Sequence, residues 1–410
     1  MQANQILTTS KQLCNKMKLD GYNATVIETT KWVLNHFHDY CQKENIESAD
    51  IDIAAHFFRD CYGFNLFKPS LPVHSTLRRP VLSLLDFYDN GKYAHCYSYI
   101  PRIDVAEGFE ILYAEYQKHV QTLDCSKATA LSKMSDFRRY VKYLSENGVS
   151  DIRNTERSLI YSYINSLQDK YSPKTMKTLK YSLRILHDWL YSAGYLPYDG
   201  KMVFPWIHDA RRSRIPSYYS KDEVRILLDS IEVSTARGKF YYCVLCLAAY
   251  LGMRSGDIIN LRFSEIDWEN NRICYVQGKT GQAQTLPLLD EVKYPLIDYI
   301  KNARKKNCET DKEYIFIRQT APFTRYKTGS ILCRIVTQAM KTAEINIKGR
   351  HHGPHALRHS LASNLLSEDV EVYGISGILG HSRITTTEVY LTIDETHLKE
   401  LTLEVPGYEN

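Results

Sequence analysis

The run FYYCVLCLAAYLGM, Phe240 to Met253, leaves this chain the fewest options. It is nearly all apolar, too short to span a bilayer, and already broken by Gly252, so it reads as a helix inside a globular core. Cys243 and Cys246 lie within it. A redox or zinc role would need exposure or a second ligand pair, so they read as core thiols. The ten cysteines are scattered rather than framed, and Met1 to Lys18 offers no apolar stretch fit for a secretory signal. A reduced, cytoplasmic protein outside the membrane is expected. The 410 residues, at roughly 150 per domain, suggest two or three domains. Lysine and arginine outnumber aspartate and glutamate 52 to 47, a net +5 that permits a nucleic-acid partner without requiring one. Tyrosine, at 31 residues against 13 phenylalanines, lets many aromatic contacts also hydrogen-bond.

Residues 1–100 read as an accessory region, mostly helical, with an irregular tail marked by Pro69, Pro72, Pro80 and the turn Asp89-Asn90-Gly91. GYNAT before Val26 and CSKAT before Ala130 each lead into an amphipathic helix, a hint of a duplicated unit. Residues 103–197 read as helical throughout: 107–120, 128–147, 156–169 and 172–193, with Gly148 and Gly194 at C-cap positions. A basic connector, 198–220, carries Arg211, Arg212 and Arg214. From 221 to 410 the pattern is α+β, with a small antiparallel sheet at 263–268, 272–277 and 282–288. The turn Gly278-Lys279-Thr280-Gly281 joins the last two strands. Helices follow at 290–306, 329–343, 355–367, 371–379 and 382–389. The fold expected is mainly α with that one small sheet.

Three clusters can carry chemistry. In GMRSGDI, Ser255 is a candidate N-cap, which leaves Arg254 beside a helix N-terminus where backbone donors and the dipole favour phosphate. Asp257 in the first turn could hold Arg254 in place. In HHGPHALRH, Pro354 opens a helix, so His355 and Arg358 share a face three residues apart. His355 and His359 would also suit zinc by spacing, but Ala356 stands where a metalloprotease helix needs glutamate, and no metal is expected. In LGHSRITTTEVY, His381 follows the break at Gly380 and Tyr390 ends the next helix. Two arginines, two histidines, a lysine on a turn and a tyrosine suit phosphoryl transfer without metal or cofactor.

AAYLGMRSGDIINLRFSEIDW, GPHALRHSLASNLL and LGHSRITTTEVYL, with the hairpin lysine between them, closely resemble the motifs of the tyrosine recombinase, or phage integrase, family. The resemblance is strong over 215–395. It extends to 103–197, where SPKTMKTLKYSLRILHDWLYSAGYL looks like the last helices of the family's core-binding domain and offers Lys174 and Lys177 to DNA. It implies Tyr390 as nucleophile on a DNA phosphodiester, giving a 3′-phosphotyrosyl link and a free 5′-hydroxyl. It implies Arg254 and Arg358 as the catalytic arginines, His355 and His381 as the paired histidines, and Lys279 as general acid. The partner implied is double-stranded DNA at specific sites, with Arg211, Arg212 and Arg214 crossing it. The assembly implied is a homotetramer, with accessory DNA-bending or directionality factors.

The sequence departs from the family pattern at two places. Asp257 stands where glutamate is more common, and 367–373 lacks the usual glycine. Neither removes a catalytic group. The extra residues 1–100 favour an integrase of a mobile genetic element, integrating or excising it in the cytoplasm on the nucleoid. The alternatives are a resolvase, invertase or relaxing topoisomerase of the same chemistry, or a non-catalytic DNA-binding regulator on this scaffold.

Overall fold

The computed structural model describes residues 1–67, 72–93, 105–205, 218–305 and 311–380. The chain divides into two compact units, Tyr99–Ser213 and the pair of stretches Met1–Ser98 with Arg214–Asn410.

In the N-terminal stretch four helices, α1 (Ile6–Leu19), α2 (Ala24–Lys43), α3 (Ile51–Tyr62) and α4 (Pro72–Asn90), enclose Leu13, Val33, Phe37, Phe57 and Leu84. Local chemistry sets their ends. Asn23 and Asp50 cap α2 and α3 by accepting backbone N–H bonds, and Gly63 closes α3 in the left-handed region. Of the expected irregular tail, 72–90 is instead helical: Pro72 begins α4, Pro80 lies inside it, and the helix ends at the expected turn with Gly91 at φ +64°. Pro69 and the stretch before Pro101 lie outside the described residues. Proline is free of cost at a first turn, but at Pro80 its missing N–H must be outweighed by packing of Val81 and Leu84. The similarity of GYNAT and CSKAT is one of capping. The caps are Asn23 and Ser126, one and two residues before their shared Ala-Thr, so the two starts are out of register.

The second unit comprises α5 (Glu110–Thr122), α6 (Lys127–Glu146), α7 (Arg157–Gln168), α8 (Pro173–Ser192) and the single turn α9 (Gly200–Val203). Ser126 and Ser172 cap α6 and α8, and Gly148 and Gly194 adopt φ of +82° and +76° just beyond the helix ends, as expected. Tyr198, Val203 and Phe204 pack into this core, so the chain leaves it only after 204. His187 is fully buried among Tyr140, Tyr198 and Phe204, with no hydrogen-bond partner for either ring nitrogen.

The remaining stretch forms around α11 (Ala236–Tyr250), which is buried over most of its length from Phe240 to Ala249. A helix apolar on every face needs cover all round. It packs against α10 (Lys221–Asp229), α12 (Ser255–Ile259), α13 (Asp290–Asn302), α14 (Ser330–Thr342) and α15 (Pro354–Leu366). Cys243 and Cys246 are fully buried, and burial pushes the Cys246 thiol up to about 12. The sheet runs β1 (Ile266–Asp267), β2 (Arg272–Val276), β3 (Ala283–Pro287), antiparallel throughout, with Ile273 opposite Leu286. The first strand is shorter than expected because Phe263–Glu265 winds into a 3₁₀ turn. Helix α16 (Val372–Leu379) completes the described residues; the expected helix 382–389 lies outside them. Among the described residues no helix is long and apolar enough to cross a membrane.

Burial lowers the His187 pKa from 6.5 to about 4. The unfolded chain therefore takes up a proton there before the folded one does. Stability contributed by this site is intact above 6.5 and declines as pH falls towards 4, by about 3 kcal/mol at most. Urea melts of wild type and His187→Phe between pH 7 and 4 check this: the substitution is expected to flatten the acid dependence of the transition assigned to this unit.

Candidate active site

The site begins where α11 stops. Gly252 takes φ +58°, and a Cβ there would lie 2.8 Å from Leu379 Cδ2 and 3.0 Å from Leu361 Cδ2. The chain can thus reverse only with glycine at this position. Two residues on, Arg254 itself occupies the N-cap of α12, with no side-chain cap, while Ser255 is the first helical residue. The expectation of a Ser255 cap is therefore corrected by one position. Arg254 Nη1 donates to Gln277 Oε1, and Nη2 donates to Gly380 O at 3.4 Å.

Asp257 does not hold Arg254 by a direct bond. Its Oδ1 accepts from the Gly278 backbone N–H at 2.9 Å, bracing the turn that carries Lys279. The short carboxylate, one helical turn into α12, meets the hairpin rather than the guanidinium. Its Oδ2 is buried without a partner. Burial raises the Asp257 pKa, opposed by the Gly278 N–H and by the charges of Arg254 and Arg358. Lys279 itself is exposed.

On α15, Pro354 occupies the first turn as expected, after Gly353 at φ +134°. His355 is exposed, and Arg358, one turn later, is 5% exposed. Arg358 Nη1 donates to Gly252 O at 2.6 Å and Nη2 to Leu379 O. The preceding loop is latched from α10. Glu223 completes a capping box with Ser220 and also takes Arg350 Nη1 at 2.6 Å. Tyr219 donates its backbone N–H to Ser360 Oγ and its hydroxyl to His351 O. The His355 pKa is lowered by burial first, then by the positive charges of Arg358, Lys279 and Arg254 and by His351. That shift favours the neutral ring. His359 is lowered further, to about 4, again chiefly by burial. No three histidine, cysteine or carboxylate side chains gather in metal-holding geometry among the described residues.

The structure thus brings Arg254, Asp257, Lys279, His355 and Arg358 into one cluster. Lys174 and Lys177 lie on α8 in the other unit, where Lys177 stands over the Tyr181 ring at 5.8 Å. His381, Tyr390, Arg211, Arg212 and Arg214 lie outside the described residues. One member of the cluster escaped the sequence reading. Gln277 is 1% exposed and contacts Arg254, Thr280 and Leu379. The signal was the strand alternation Ile273, Tyr275, Gln277, which places a polar residue at an inward position.

Residues 218–397 match the Phage integrase family. The protein y4gC of Sinorhizobium fredii, described as an integrase/recombinase, is 31% identical over 196 residues, 48% of this chain and 98% of its own length. Its fellow y4rF, described the same way, is 31% identical over 215 residues, 52% of this chain; the chain spans only 50% of that relative's length. Among solved structures, the recombinase XerH on its difH substrate aligns with a TM-score of 0.57 at 17% identity, over 70% of this chain and 83% of that one. The chain belongs to the phage integrase family, the tyrosine recombinases.

If Asp257 fixes the hairpin turn, Asp257→Ala frees the Gly278 amide at a cost of about 1–2 kcal/mol. Asp257→Asn keeps an acceptor there. Amide exchange at Gly278 is expected to accelerate in the alanine variant and to stay near wild type in the asparagine variant.

Proposed function

We propose that this protein is a tyrosine-type site-specific DNA recombinase that cuts and rejoins duplex DNA through Tyr390. The observation that carries the reading is the convergence of two arginines on adjacent carbonyls at the end of α16, Arg358 on Leu379 O and Arg254 on Gly380 O, with the Lys279 turn held beside them by Asp257. A phosphodiester entering this cluster would meet two guanidiniums able to share the charge of its non-bridging oxygens as phosphorus becomes five-coordinate. The Tyr390 oxygen attacks phosphorus, and His355, in its neutral form, is suited to take the phenolic proton. The bond from phosphorus to the 5′ oxygen breaks, and Lys279 protonates that oxygen as it leaves. A 3′-phosphotyrosyl bond replaces the phosphodiester, so its energy is retained. The free 5′-hydroxyl of a partner strand then reverses the step.

Double-stranded DNA carrying specific sites is the proposed partner, as XerH is held on its own difH substrate. A tetramer on two sites, His381 as the second histidine, and DNA contacts by Lys174, Lys177, Arg211, Arg212 and Arg214 complete the proposal. The descriptions of y4gC and y4rF as integrase/recombinase favour integration. That the DNA integrated or excised is a mobile element, and that the protein acts in the cytoplasm, belong to the same proposal.

Covalent capture tests the reading. Wild type and Tyr390→Phe are expressed with candidate DNA, denatured, and the DNA that stays attached is sequenced. Wild type is expected to retain a sharp set of sites and the variant none, with comparable DNA affinity before denaturation. Equal retention, confirmed on nicked duplexes that trap the intermediate, would remove the chemistry and leave a DNA-binding protein.

The pH profile is a second check. Because the His355 pKa lies below its ordinary 6.5, the midpoint of the acid decline in cleavage rate is expected below 6.5. The rate falls there because the ring protonates and can no longer accept. Single-turnover rates across pH 5 to 8 measure this.

A further inference from the structure

Gln277 stands at the meeting point of three chain segments. Its side-chain oxygen accepts from Arg254 Nη1 and from Thr280 Oγ1 at 2.7 Å, using both lone pairs. Its Nε2 donates to Leu379 O at 3.4 Å. Its backbone closes the lysine-bearing turn, donating to Gln282 O and accepting from Gly281 N, both at 2.9 Å. The space is fitted to this amide: a Cβ on Gly380 would lie 2.1 Å from Gln277 Nε2. One nearly inaccessible side chain thus joins the start of α12, the Lys279 turn and the end of α16.

The chemistry of the amide matters as much as its position. An apolar side chain here would leave a guanidinium N–H and a hydroxyl unpaired, and the arginine free to swing. A carboxylate would hold the arginine firmly but would spend its charge on an internal ion pair. A neutral acceptor fixes the direction of the guanidinium and leaves its charge for another anion.

We infer that Gln277 is a positioning residue for the reaction, orienting Arg254 toward the scissile phosphate through a neutral hydrogen bond that leaves the guanidinium charge uncompensated. The inference rests on the recombinase reading given above, and on no contact between Gln277 and DNA.

The test uses the full chain and a nicked duplex containing the site mapped by covalent capture. The scissile linkage is either an ordinary phosphodiester or a methylphosphonate, in which one charged oxygen is replaced by methyl. Gln277→Met keeps the bulk and removes the acceptor. It is expected to slow single-turnover cleavage of the phosphodiester on the order of 100-fold, with DNA affinity near wild type and a lowered melting temperature, so the rates are read well below the transition. On the methylphosphonate there is less negative charge to neutralise, so the ratio of wild-type to variant rates should shrink towards parity. Gln277→Glu, which keeps size and acceptor, serves if the methionine variant folds poorly. It should also lose rate on the phosphodiester, because its charge compensates Arg254.

Two results overturn the inference: variants that cleave the phosphodiester at the wild-type rate, or losses that are equal on both linkages, as a general loosening of the site would give. A wild type that forms no tyrosyl adduct on either duplex overturns the recombinase reading instead, and the inference with it. The wild-type lane therefore distinguishes the two failures.

Discussion

A guanidinium cannot leave water without partners, and Arg358 is almost wholly buried. Its bonds to Gly252 O and Leu379 O draw together the end of α11, the first turns of α15 and the end of α16. Leu379 O is one of the acceptors that a helix terminus leaves unused, and Gly252 O lies just beyond the end of α11. The arrangement therefore answers two demands at once: the charge needs acceptors, and the helix ends need donors. Loss of Arg358 would leave three segments without a common tie, and each of them carries or adjoins a member of the cluster. Gly252 shows how tight the junction is, since its left-handed turn brings it against leucines from α15 and α16.

Much of this was legible in the sequence because it rests on local chemistry. Helix starts at Asn23, Ser126 and Ser172 follow from caps a few residues long, and the ends at Gly148 and Gly194 follow from glycine's access to positive φ. Arg254, Lys279, His355 and Arg358 could be named because each sits in a motif whose spacing is fixed along the chain. What could not be read depends on segments far apart in sequence. Gln277 gains its role from Arg254, 23 residues before it, and Leu379, 102 residues after it. Asp257 was expected on Arg254, yet its Oδ1 instead meets Gly278, 21 residues on, because the hairpin folds back over α12. Pro80 was read as a breaker, since nothing in the sequence reveals the packing that keeps α4 continuous around it.

The latch on the loop before α15 shows the same economy in a different form. Glu223 caps its own helix and pairs with Arg350, whose guanidinium also lies 3.8 Å from the centre of the Tyr219 ring. Tyr219 in turn bonds to Ser360 and His351. The loop bearing the histidines is thereby tied to the segment that begins this part of the chain, across more than 120 residues of sequence. A chain that forms α10 without α15, or the reverse, would lack these bonds, which favours their forming together.

The acceptors around Arg254 and Arg358 described here are an amide and three backbone carbonyls, dipoles rather than anions. Dipoles satisfy N–H groups but do not cancel charge, so two guanidiniums on adjacent carbonyls repel one another, and Asp257 offsets part of that repulsion. An incoming anion supplies the missing half of the electrostatics. By linkage, the free energy released on its arrival also firms the protein that receives it. Occupancy and local rigidity are then one equilibrium seen from two sides, and the cluster is most ordered when it is holding what it acts upon.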